Sequence, residues 1–447
     1  MMKPSLLGLL LLFFSLSSTA AACKTAPPRE SQVVLVVRTD APLPSEDPEV
    51  PALFDRLRIE VFPGGADEPC AGCVESFAVT REEVDTGRVS FGVVVPPDSS
   101  ARRVRVTLFF ARGLGPRPKS SIVATLEIPS VAIGERLVGH VDLHVADVGA
   151  PRGSLDAPVP FEPGEGTSLP LWEGARLRGC SSPPRDDEAC IPGGAFFMGD
   201  PSLDVVATAD RGGLVEHLVT LDPFFLDRSE ITVAALRAAG IAERDENGRR
   251  FDPADTLGPG THCTYSDEAG PSDTLPVNCV SHRLADTYCA RLGKRLPTEA
   301  ELAFVGSGLG SKPYVWGNDP PACDDAVFDR GGTCPGAGPL APGSGRRDRL
   351  SVSGIDVVDL AGNVSEWAAD LWNRDDDPCF RASILTNPRC ETPSERDGRA
   401  WLVRGGAFAF GTVHTRAALR VRVEYDRGET RAVSDGVGFR CARGEPI

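Results

Sequence analysis

Basic charge is in short supply in this chain of 447 residues, with 47 Lys and Arg against 63 Asp and Glu, a formal net charge of −16. That balance excludes general nucleic-acid binding, which needs a basic surface, and fits an acidic protein or one that binds cations. Tyr (4), Trp (5) and Met (3) are scarce, whereas Gly (47) and Pro (39) are abundant. Such a composition disfavours long helices and favours turns, short strands and irregular loops. Histidine is also sparse: the 6 residues are scattered at 140, 144, 217, 262, 282 and 414. His140 and His144 fall on one side of a candidate strand with no third ligand nearby, and read as strand-surface residues.

The N-terminus carries an export pattern. Met1-Met2-Lys3 is a short basic region, Leu6–Leu16 is apolar, and Thr19–Ala22 is a small-residue cleavage region before Cys23. Residues 1–22 therefore read as a signal peptide. A cysteine directly after the small residues resembles a bacterial lipoprotein signal, which implies lipidation of Cys23 and a polar tether over 23–31; simple cleavage after Ala22 is the alternative. The expected location is the periplasm or cell surface, membrane-anchored through the lipid. Setting Cys23 aside leaves 12 of the 13 cysteines, an even number suited to an oxidising compartment. Cys70/Cys73, Cys180/Cys190, Cys263/Cys279, Cys323/Cys334 and Cys379/Cys390 are near neighbours and read as loop staples. Cys289 and Cys441 are left over. A zinc site at Cys70/Cys73 ranks below a disulfide, because no second C-x-x-C accompanies it.

From 32 to 146 the apolar residues recur with a period of two. Leu57, Ile59 and Val61 alternate with Arg56, Arg58 and Glu60, and seven such segments predict an all-β sandwich. The segments are Gln32–Arg38, Arg56–Val61, Val74–Val79, Arg88–Val95, Val104–Phe110, Ile122–Ile128 and Arg136–Val145. Residues 147–178, with G-A-P-R-G and A-P-V-P-F-E-P-G-E-G, read as a semi-stiff linker. A second domain, 179–443, carries I-P-G-G-A-F-F-M-G-D at Ile191–Asp200. It has a short helix through Ala234–Ala239, a strand at Pro276–Ser281 and a helix His282–Leu292 capped by Ser281. The last of its helices starts in a capping box formed by Thr298 and Glu301.

Asp356–Trp367 (D-V-V-D-L-A-G-N-V-S-E-W) concentrates oxygen donors around Gly362, the composition a hard cation such as Ca²⁺ needs. A polar turn bonding its own backbone is the simpler reading of D-x-x-G alone. Other segments complete a pattern: P-G-G-x-F-x-M-G at Pro192–Gly199, D-x-x-E-I-T at Asp227–Thr232 and Y-C-x-x-x-G-K-R-L-P-T-E-A-E at Tyr288–Glu301. W-G-N at Trp316–Asn318, D-L-A-G-N-V-x-E-W at Asp359–Trp367, R-G-G at Arg404–Gly406 and G-F-R-C-A at Gly438–Ala442 follow in order. Together they resemble the formylglycine-generating enzyme, or sulfatase-modifying factor, family over roughly 190–443.

The resemblance implies an α+β domain with a C-type-lectin-like core. It also implies a Cys289–Cys441 disulfide and a structural calcium loop, with Asp359 and Glu366 supplying side-chain oxygens and Gly362 and Val364 carbonyls. Active relatives hold copper(I) with two cysteines, the first six residues after the arginine of R-G-G and the second five further on, a soft-ligand pair suited to that ion. Here those positions are Phe410 and Thr415, and no cysteine occurs between Arg404 and Arg440. The copper oxidase chemistry is therefore not expected. The chain reads as an exported, calcium-stabilised pseudoenzyme that binds an unidentified protein, peptide or glycan. The alternative is an oxidoreductase of the same family using non-cysteine ligands, such as iron held by histidines and a carboxylate, with His282 and His414 the candidates.

Overall fold

The computed structural model describes residues 31–95, 102–111, 115–164, 166–200, 203, 211–212, 215–244, 246–424 and 434–445. The signal peptide, Cys23 and the tether up to residue 30 lie outside the described residues.

The period-two segments form β1 (Gln32–Thr39), β2 (Arg56–Phe62), β3 (Val74–Ala78), β4 (Ser90–Val94), β5 (Arg102–Phe109), β6 (Ile122–Ile128) and β7 (Arg136–Leu143). With β8 (Glu162–Pro163) they make two four-stranded sheets, ordered β4-β1-β7-β8 and β3-β2-β5-β6. The alternation is the cause. Val33, Leu35 and Val37 of β1 meet Leu57 and Ile59 of β2 and Val104, Val106 and Leu108 of β5 in one core. β1 and β7 pair in parallel, Gln32 opposite Arg136 and Thr39 opposite Leu143. A five-residue helix α1 (Arg81–Asp85), capped reciprocally by Thr80 and Glu83, connects β3 to β4.

The segment 147–178, expected as a linker, is ordered against the sandwich and corrects that expectation. β8 pairs with β7, Ala124 and Leu126 bridge to Arg152 and Val159, and Val148 is buried in the sandwich core. Its backbone then hands over to the second domain: Trp172 N–H bonds the Asp40 carbonyl, Leu177 N–H the Glu49 carbonyl, and Arg178 pairs with Gly193. Its prolines hold extended backbone that pairs with strand edges, which composition alone does not distinguish from a free linker.

The two domains share a core. Phe197 and Ala195, on strand Gly194–Met198, and Leu218, on strand His217–Leu221, belong to the sandwich cluster, and the Phe197 ring meets Phe54 edge-on at 5.4 Å. Ser120 Oγ donates to Glu216 Oε2 across the same seam at 2.9 Å, away from solvent.

The second domain is α+β with short elements, as expected. Its largest sheet has five strands, in the order Arg211–Gly212, Arg420–Glu424, Ala400–Arg404, Ser365–Leu371 and Val437–Gly438. Helices α2 (Val233–Ala239), α3 (His282–Arg291) and α4 (Glu299–Gly306) pack around it, with Thr232, Ser281 and Thr298 as N-caps. Pro276–Ser281 is not a strand. It makes a single bridge, Pro276 to Thr232, and Cys279 adopts φ 56°, a left-handed turn incompatible with a continuing strand. Leu292, expected as the last residue of this helix, lies just past its end and is 42% exposed.

All five neighbouring cysteine pairs are disulfides, which removes the zinc alternative at Cys70/Cys73, and Cys289 is bonded to Cys441 across 152 residues. Six disulfides mark an extracytoplasmic protein.

Candidate functional site

The hairpin Arg349–Val352/Ile355–Val358 delivers the chain to the loop Asp359–Val364, which feeds the central strand Ser365–Leu371. The left-handed residues in the loop are Asp359 (φ 57°) and Asn363 (φ 70°). Gly362 is required by the close approach of two backbones. A Cβ there would stand 2.7 Å from the Val327 carbonyl oxygen and 2.8 Å from its nitrogen, so only glycine lets the two backbones touch. Asn363 N–H closes the contact, donating to Val327 O at 2.8 Å.

Four buried carboxyl groups surround this loop. Asp348 accepts from the amides of Leu360 and Ala361, both at 2.9 Å. Glu230 accepts from Val364 N–H at 3.0 Å and Asn363 Nδ2 at 2.7 Å. Asp359 Oδ2 takes the Gly343 amide at 2.6 Å, while its Oδ1 is buried and receives no hydrogen bond. Glu366, the other expected calcium ligand, is paired with Arg440: Nε lies 2.7 and 2.8 Å from the two oxygens. Arg440 also donates to the carbonyls of Val358 and Asp359, at 2.8 and 2.9 Å.

One guanidinium thus serves four carboxyl groups. Burial pushes Asp348 up to about 8, with the charge of Asp359 adding to it, and pushes Asp359 up to about 6. Glu230 is raised well above the ordinary range by burial and then by Asp359 and Glu366; Glu366 is raised by burial against the pull of Arg440. An acidic excess in a low-dielectric site is relieved by protons or by a cation. The unsatisfied Asp359 Oδ1 is the oxygen a hard cation would meet, and a carboxylate has about four acceptor positions, so the Arg440 pair does not exhaust Glu366. Among the described residues no three His, Cys, Asp or Glu side chains converge as a metal-binding group, so a cation here would depend on backbone carbonyls as well.

The R-G-G turn abuts this loop. A Cβ on Gly406 would lie 2.2 Å from Ala361 O, and Phe408 N–H donates to Asn363 O at 2.8 Å. Beyond it stand the positions where the resemblance puts copper ligands. Phe410 is half-buried with its ring 4.7 Å from that of His414, and Thr415 is 1% exposed with its hydroxyl turned back onto Thr412 O at 2.7 Å. Apolar packing and a self-bonded hydroxyl occupy both places.

Sequence reasoning marked His282 and His414 as candidates for a second metal. The His282 ring stacks on Trp401 at 3.6 Å and its Nε2 hydrogen-bonds to Ala368 O at 3.0 Å, so burial holds it down to about 4. His414 sits in a 3₁₀ turn, Thr412–Thr415, against Phe410. Each is taken up by packing against a different aromatic residue.

Beneath the sheet lies a charged triad that spacing did not single out. Glu299 Oε1 accepts from Arg404 Nη2 at 2.7 Å and from Arg420 Nε, while Arg420 Nη2 reaches Oε2 at 3.0 Å. All three residues are about 2% exposed. Its trace in the sequence is charged residues inside the motifs that recur in order along the domain, Glu299 in T-E-A-E and Arg404 in L-V-R-G-G. The same holds for Glu230 in S-E-I-T and Arg440 in G-F-R-C.

Residues 178–445 match the sulfatase-modifying factor enzyme 1-like domain, and the chain belongs to that family. It is 28% identical over 297 residues to the formylglycine-generating enzyme of Thermomonospora curvata, covering 56% of this chain and 91% of the relative. It is 30% identical over 290 residues to the Streptomyces coelicolor formylglycine-generating enzyme, with 56% and 87% covered. Similarity to the inactive C-alpha-formylglycine-generating enzyme 2 of Bos taurus is as high, 29% over 295 residues, with 57% and 87% covered. The relatives thus include two named as formylglycine-generating enzymes and one named as inactive, and the stretches aligned with all three cover just over half of this chain.

Proposed function

We propose that this protein is a lipid-anchored, extracytoplasmic binding protein built on the formylglycine-generating scaffold, without copper oxidase chemistry. The observation that carries the reading is the filling of both thiolate positions, by Phe410 packed on His414 and by the buried Thr415, in a segment with no cysteine from Arg404 to Arg440. Copper(I) selects thiolates, and neither a phenyl ring nor a hydroxyl supplies one.

The same reading assigns Ca²⁺ to the Asp359–Glu366 loop as architecture. The donors would be the side chains of Asp359 and Glu366 and the carbonyls of Gly362 and Val364. What supports it is the buried Asp359 Oδ1 that receives no hydrogen bond and the excess of carboxyl groups over Arg440. The metal would neutralise the cluster and fix the loop against Phe408; the chain's own residues would do the binding of a protein, peptide or glycan. Acylation of Cys23 would hold the protein at a membrane.

The test is a turnover assay with the purified chain, copper, oxygen and a cysteine-containing sulfatase peptide. No aldehyde product is expected by mass spectrometry; formylglycine formation would overturn the reading.

A further inference from the structure

The first described residue is fastened to one end of the sandwich. Ser31 Oγ donates to Ala132 O and accepts from Gly134 N–H, each at 3.1 Å, and Gln32 N–H bonds Glu135 O at 3.2 Å. The chain preceding Ser31 therefore leaves the domain beside the β6–β7 turn, residues 129–135. That turn reads S-V-A-I-G over 130–134, and Ile133 is 77% exposed, the highest value of any large hydrophobic side chain among the described residues. Val94, 47% exposed, is at the same end. It is the cross-strand partner of Gln32, whose other partner is the exposed Arg136, so the three form one outward-facing row.

The second domain is attached at the opposite end. Its seam involves Phe54 before β2 and Ser120 before β6, and the connecting segment bonds Asp40, after β1, at the same end. β1 and β7 both start at the Ile133 end and run towards the seam. At about 3.3 Å per residue, eight-residue strands separate the two ends by roughly 25 Å.

Single exposed apolar residues need no explanation, and the position of this one is what matters. Ser31 is eight residue steps from Cys23, a reach of at most about 28 Å when fully extended. A lipid on Cys23 therefore keeps this end of the sandwich near the bilayer surface. From this placement, and resting on the lipid-anchor reading, we infer that the β6–β7 turn is a membrane-contact element. Ile133 enters the headgroup–acyl boundary, Arg136 meets anionic lipid phosphates, and the sandwich stands upright as a spacer that holds the second domain off the membrane.

The experiment does not depend on natural acylation, because Cys23 is the one cysteine outside the six disulfides. The mature chain from Cys23 is coupled through that thiol to a maleimide lipid in phosphatidylethanolamine–phosphatidylglycerol vesicles containing brominated acyl chains. Ile133→Trp is expected to add blue-shifted fluorescence that these vesicles quench several-fold, and Leu257→Trp to add fluorescence that they leave unchanged. Equal, unquenched emission from the two variants would overturn the inference. The mass of the N-terminal peptide of the exported chain tests the anchor separately: an unmodified Cys23 sinks that reading while the vesicle result still decides the turn.

Discussion

Arg440 and Glu366 face each other in the core, Nε at 2.7 and 2.8 Å from the two carboxylate oxygens, with 0% and 3% of each residue exposed. Removing one partner of such a pair strands the other charge away from water, at a cost of about 3–5 kcal/mol. Glu366→Ala is expected to lower the unfolding free energy in urea by that amount. A loss below about 1 kcal/mol would mean that Arg440 finds another partner or water.

Calcium binding is read most cleanly at Asp359, whose replacement leaves the Arg440–Glu366 pair in place. A ligand that binds only the folded state at a hundredfold excess over its dissociation constant adds about 2.7 kcal/mol. The unaltered chain should melt higher with calcium than with chelator, and Asp359→Ala should lose that increase. An equal rise in both would remove Asp359 from any calcium site.

His282 and His217 are both held down to about 4, mainly by burial. Their folded values lie below the unfolded value of about 6.5, so the stability they contribute is present above pH 6.5 and is lost as the pH falls towards 4. For His282 alone the loss amounts to about 3 kcal/mol. Urea unfolding at pH 7 and pH 4.5 measures it. His282→Phe, which keeps the ring against Trp401, should flatten the difference; an unchanged slope would assign it elsewhere.

The disulfides are unequal. Cys289–Cys441 closes 152 residues and Cys70–Cys73 only 3. In the chain-entropy treatment the first contributes about 5 kcal/mol and the second about 2. Replacing Cys289 and Cys441 together by Ala should lower the denaturation midpoint far more than Cys70→Ser with Cys73→Ser. Similar losses would argue against loop closure as the source.

Because Phe197 completes the sandwich core from the other domain, both domains should unfold in one calorimetric transition. Phe197→Ala is expected to cost about 3–5 kcal/mol and to split that transition in two. A single unchanged peak would mean that the seam does not couple them.

All seven sandwich strands were legible because their alternation is local. The caps at Ser281 and Thr298 lie within three residues of the amides they bind. Two expectations were corrected where a contact from outside the segment decided its state. Residues 147–178 lack periodicity, yet their backbone is claimed by β7, Asp40 and Glu49. At Pro276–Ser281, Cys279 turns left-handed beside its disulfide to Cys263.

At the candidate site the division is sharper. Sequence alone determined the family motifs, the export pattern and the absence of any thiol between Arg404 and Arg440, since these are properties of residue identity and order. It placed Asp359 and Glu366 together, seven residues apart. Only the tertiary structure brought Glu230, Asp348 and Arg440 to the same point, filled the Phe410 position with a packed ring, and fastened Ser31 to the turn that carries Ile133. Burial makes the difference. A carboxylate in water is unremarkable in any sequence, and it acquires a raised proton affinity, a partner or a cation only when distant segments close around it and exclude the solvent.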